Sequence, residues 1–166
     1  LISGVHDLLP NRVGGAAMQK NLETLGDIQY SQEEIDFALE LQRNNGKPEL
    51  GIDGKIRPLR ETLNSPGGGS TDSGDVSYNI PVVSLAATTA PKGVPWHSWS
   101  VVASSGMSIG HKGMLHAAKA LGMTMVDIFK DSKLREDIKK EFDEKIGEYD
   151  YDPYLDPGPP PIDYVD

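Results

Sequence analysis

Apolar residues recur at Val13, Ala16, Ala17, Met18, Leu22 and Leu25, a spacing that predicts an amphipathic helix over 13–25. Pro10 sits where such a helix can begin, and Gly26 supplies a stop. Ser31 and Glu34 form the Ser-x-x-Glu pattern of a capping box. Behind it Ile35, Phe37, Ala38, Leu39 and Leu41 predict a second helix over 32–44. Residues 46–58 carry Gly, Pro and charge with little period, and Ile56, Leu59 and Leu63 suggest a short helical turn. Ile80–Ala87 reads IPVVSLAA, a continuous, partly β-branched run of the kind that forms a strand buried on both faces of a sheet. TTAPKGVPWHSW follows as an expected loop. Ser108 is placed to cap a helix over 109–129, whose apolar face holds Met114, Leu115, Ala118, Leu121, Met125, Val126 and Phe129. Asp131 starts another over 132–146, with Leu134, Ile138, Phe142 and Ile146 inside, charges outside and Gly147 at its end.

Together these elements predict an α/β layer. Residues 1–7 read as the end of a strand, 8–147 as the body, and 148–166 as an extended, Pro-rich acidic tail, draped over the body or disordered. One buried strand is too few for a complete sheet, so its partner strands are expected in sequence outside this chain. The opening Leu-Ile-Ser, without Met or a signal-like segment, fits a cut through a longer polypeptide.

A charged fraction of 25% beside a hydrophobic fraction of 37% is an ordinary globular balance over 166 residues. The net charge of -9 disfavours nucleic acid and anionic membranes as partners. No apolar run approaches the roughly 20 residues of a membrane helix. The absence of cysteine excludes disulfides, thiolate metal sites and a cysteine nucleophile, and fits a cytoplasmic location.

Four histidines are candidates for chemistry. His6 at a strand end reads as a surface or satisfied polar group, and His116 as a packed helix residue. His97 lies in PWHSW, directly after the expected buried strand, where ligand sites form in open α/β sheets. His111 opens a helix, where backbone N–H groups can hold an anion. Asp72 and Asp75, in GSTDSGD, suit either a metal or substrate ammonium, or turn capping. The full EF-hand pattern is missing, and PGGGST lacks the Gly-Lys-Ser/Thr ending of a phosphate loop.

Three segments in order, GGSTDSGDVSYNIPVV (68–83), VPWHSW (94–99) and SIGHKGMLHAAKALGMTMVDIF (108–129), resemble the C-terminal region of the aminoacylase/carboxypeptidase family of dinuclear metallohydrolases, in particular its p-aminobenzoyl-glutamate hydrolase subgroup. The resemblance implies the C-terminal portion of a three-layer, zinc-peptidase-like catalytic domain. It implies hydrolysis of an N-acyl amino acid by a pair of divalent ions, zinc or manganese. His97 falls on the family's metal-ligand position and Asp72 on an Asp that orders the active-site region. Asp75 and His111 are expected behind the ligand or beside the substrate. Where relatives read Leu-His-Asn-Pro, this chain has Trp96-His97-Ser98-Trp99, which leaves the substrate open.

The family's His-x-Asp and catalytic Glu-Glu motifs are absent, and Glu33-Glu34 reads as helix-start charge. No catalytic residue is therefore assigned within this chain. Its expected partners are the substrate and the remainder of the catalytic and lid domains, with a homodimer left open. No metal is expected to bind tightly to this chain alone. The alternatives are a non-catalytic fragment or interaction domain, or an aminoacylase or dipeptidase of other specificity.

Overall fold

A computed structural model of the chain describes residues 4–60, 70–155 and 157–159. Its helices are α1 (Arg12–Leu25), α2 (Gln32–Asn44), α3 (Ser73–Ser77), α4 (Trp99–Ser105), α5 (Ser108–Lys130) and α6 (Ser132–Ile146). Leu63, the first half of the Gly-rich stretch 64–75 and the end of the tail lie outside the described residues.

Side-chain caps fix where several helices begin. Asn11 accepts from Gly14 N at 2.8 Å, and its amide donates to Ile138 O of α6 at 2.9 Å. One side chain thus caps α1 and ties it to α6. Ser31 and Glu34 close the expected capping box, each accepting from the other's backbone N–H. Asp131 caps α6 by accepting from Leu134 N. α1 ends at Gly26, whose φ of 76° suits a residue without Cβ.

α1 packs against α5 and α6, and α4 against α5. The core joins Met18 and Leu22 of α1 to Ala120 of α5, with Leu25, Ile56, Val83 and Leu85 around it. A polar tie crosses the same interface, with Asn21 donating to Thr124 Oγ1 at 3.0 Å and to Asp127 Oδ2 at 2.8 Å. Ile138 is the buried residue of α6, and Leu134, Phe142 and Ile146 flank it half-buried, as their spacing predicts.

The expected α/β class is not what forms. Among the described residues there is no sheet, only one isolated parallel bridge between Pro10 and Val82. Ile80 is 56% exposed. Val83 and Leu85 instead reach the helical core from an extended segment. A continuous apolar run reports burial, not pairing, and a strand needs a neighbour for its N–H and C=O groups. Pro10 and Pro81 have no N–H to give a ladder. Residues 4–7 likewise belong to no strand.

Two short helices form that the apolar pattern does not predict. α3 takes in Ser73, Gly74 and Asp75 and runs on to Ser77, and α4 starts at Trp99, the last residue of the segment expected as a loop. The largest departure is in α5. Its inward face is Ile109, Gly113, Ala120 and Thr124. A Cβ on Gly113 would fall 2.2 Å from the Thr88 carbonyl oxygen, so only glycine allows that approach. The bulky face from Met114 to Phe129 points outward.

Candidate functional site

His97 stands at the tip of a closed turn. Ser98 Oγ donates to Pro95 O at 2.5 Å and lies 3.3 Å from Ser100 Oγ, which donates to Asn45 Oδ1 at 2.9 Å. Because Ser98 spends its hydroxyl on the turn, it makes no side-chain cap for α4. The turn holds His97 at a φ of 60°, the one non-glycine positive φ among the described residues. The imidazole is exposed and makes no hydrogen bond to a described residue. Left-handed backbone is disfavoured for residues with a Cβ, and such strain tends to mark functional positions.

Asp72 is exposed at the start of α3 and makes no side-chain cap. Asp75 is half-buried and belongs to a different group, centred on His6. His6 Nδ1 lies 2.7 Å from Asp75 Oδ1, and His6 N also donates to that oxygen at 3.3 Å. His6 Nε2 lies 2.9 Å from Tyr149 Oη. Donation from Nδ1–H to the carboxylate and acceptance at Nε2 from the phenol satisfy a neutral imidazole completely. Tyr151 Oη donates to the same Asp75 oxygen at 3.2 Å. The hydrogen bonds from His6 are the leading cause holding the Asp75 carboxyl below its ordinary range. Tyr154 stacks on the His6 ring at a centroid distance of 4.2 Å and an interplanar angle of 5°. Tyr78 packs at 5.0 Å and donates to Asp7 at 2.8 Å.

The first part of the tail is thus draped over the body, fastened on His6, which is 6% exposed. The sequence left His6 a surface or satisfied polar group; it is the buried centre of three segments. The signal for this was the recurrence of Tyr149, Tyr151 and Tyr154 in an otherwise polar tail.

His111 is exposed in the first turn of α5, its N–H donating to Met107 O. His116 is half-buried and, with Trp96, borders an open groove of about 800 Å³ floored by Leu8, Met18, Leu22 and Leu85. Asp53 at this groove faces Lys92 at 3.3 Å, and its carboxyl is held low by the Lys55 N–H first and Lys92 next. The structure brings Asp75 to His6; no hydrogen bond joins His97 to Asp72, Asp75 or His111. Among the described residues no three His, Asp or Glu side chains converge to hold a metal ion. A catalytic zinc takes three protein donors, so the described residues do not fit a metal pair by themselves. No helix among them is long and apolar enough to cross a membrane.

The chain is related to a hydrolase. It is 34% identical over 157 residues to a subunit of the p-aminobenzoyl-glutamate hydrolase of Escherichia coli (strain K12). The match covers 80% of this chain and 33% of that protein, so the chain spans about a third of the length of the curated relative it matches. No protein-family profile matches the chain, and no solved structure matches it.

Proposed function

We propose that this chain forms one part of a metal-dependent amide-bond hydrolase acting on N-acyl amino acids of the p-aminobenzoyl-glutamate type. The relationship to the E. coli protein supports the reaction class and the substrate. The observation that carries the site is His97, an exposed imidazole in left-handed backbone, held by a turn that Ser98 closes. Neither ring nitrogen bonds a described residue, so one is free to act as a ligand donor for a zinc or manganese-type ion. The remaining donors, and the group that takes a proton from the attacking water, come from outside this chain. Asp72 and His111 lie nearer solvent than core and are assigned to the surroundings of that site. Asp75 acts through the fastening of α3 to His6. The relative's name makes it one subunit of its enzyme, and a partner subunit is proposed here on that basis.

The test compares His97→Ala with His116→Ala in a complete enzyme, built by placing this chain in the matched third of the E. coli protein. Removing one of few metal donors lowers activity by a factor on the order of 10²–10⁴ and reduces bound metal. His116→Ala leaves metal content unchanged. Full metal occupancy and near-normal turnover in His97→Ala would sink the assignment.

A further inference from the structure

α5 is apolar on two opposite sides. One side, Ile109, Gly113, Ala120 and Thr124, is buried within the chain. The other carries Met114, Leu121, Met125, Val126 and Phe129, all exposed, Phe129 to 77%. The steps between them are seven, four, one and three residues, which on a 3.6-residue turn keeps them on one outward face of a 23-residue helix. α4 leaves Trp99 and Val102 exposed as well, Val102 to 73%. A helix with an apolar face beyond the one it buries has a second face to cover. α6 is the contrast, since its outer face is laced with Lys–Asp and Lys–Glu pairs as a solvent face should be.

We propose that the outward face of α5 is the surface on which the rest of the hydrolase polypeptide docks. This rests on the reading of the chain as one part of that hydrolase. The chain spans 33% of its relative's length, so a hydrolase of that size supplies a far larger body to cover the face. Other occupants fit less well. The net charge of -9 opposes an anionic lipid surface and also opposes a second copy of the chain. Docking on this face places His111, in the first turn of α5, at the margin of the joint.

The chain has no cysteine, so a single introduced thiol reports one position. Leu121→Cys probes the outward face of α5, and Lys140→Cys probes the solvent face of α6. In the isolated chain both label with a thiol reagent at similar rates, and light scattering gives a monomer. In the chimera with the E. coli protein, Leu121→Cys slows by a factor on the order of 100 or more, since labelling then waits for opening, while Lys140→Cys keeps its rate. An equally reactive Leu121→Cys in a folded chimera overturns the proposal. So does a chimera that fails to fold where the E. coli protein folds. A dimer of the isolated chain with Leu121→Cys protected assigns the face to a second copy instead. Protection by phosphatidylcholine–phosphatidylglycerol vesicles assigns it to lipid. Labelling is read apart from hydrolysis: a protected but inactive chimera keeps the docking and sinks the function, and an active chimera with a reactive thiol does the reverse.

Discussion

His6 and His97 show how two imidazoles in one chain are put to opposite uses. His6 has both nitrogens engaged, by Asp75 and Tyr149, and its ring stacked on Tyr154. Nothing remains with which to bind a ligand. His97 has no such partners and is held in a conformation that costs an L-residue about 1–2 kcal/mol. Replacing His6 by Phe keeps the ring stack and the backbone N–H bond to Asp75, but removes the imidazole bonds to Asp75 and Tyr149 and leaves Tyr151 as the side-chain donor to Asp75. His6→Phe is expected to lower the urea midpoint at pH 7. The tail should also become cleavable by chymotrypsin around Tyr149–Tyr154 ahead of global unfolding. An unchanged midpoint with an uncut tail would show that other contacts hold the tail.

The element most firmly placed is the start of α2, where local and tertiary forces meet on Glu34. Its carboxylate closes the capping box and also accepts from Lys112 Nζ of α5 at 2.6 Å. Burial alone would raise the Glu34 pKa, but hydrogen bonds from Lys112, Ser108 and Ser31 outweigh it and bring it down to about 2 from the usual 4.5. A depressed folded-state pKa means stability fully present above pH 4.5 and lost as pH falls toward 2. Glu34→Gln is therefore expected to lower stability at pH 7 by about 1.5–3 kcal/mol. It should also flatten the dependence of the urea midpoint between about pH 5 and pH 2 relative to the unaltered chain. Parallel pH profiles would show that the Lys112 pairing contributes little.

At the scale of the molecule, the chain is a helical body with one charged and one apolar outer face, carrying one proposed metal donor. With no three donors brought together among the described residues, the isolated chain is expected not to hydrolyse p-aminobenzoyl-glutamate with zinc or manganese added. Metal-dependent release of p-aminobenzoate by the purified 166-residue chain would overturn that expectation. The chimera with the E. coli protein supplies the positive control.

Local chemistry made much of this protein readable in advance. The bounds of α1, α2 and α6 follow within a residue from apolar spacing and from caps at Ser31 and Asp131, because a cap and a 3.6-residue period act within a few residues of chain; α5 lies where its spacing predicts, but Ser108, expected as its cap, is its first residue and Met107 stands at the N-cap without a side-chain bond. The relationship to the hydrolase was equally local, resting on GGSTDSGD, VPWHSW and SIGHKG. The state of Ile80–Ala87 was not readable, because an apolar run forms a strand only if another strand is there to pair with it. Nor was the direction of α5: the sequence marks Met114–Phe129 as apolar, but Gly113 and Ala120 allow α5 its closest approach inside the chain. His6 became a buried hub only when a tail more than 140 residues away folded back onto it. Periodicity and capping are set by neighbours in sequence, whereas pairing, facing and burial are set by whatever the rest of the chain brings alongside.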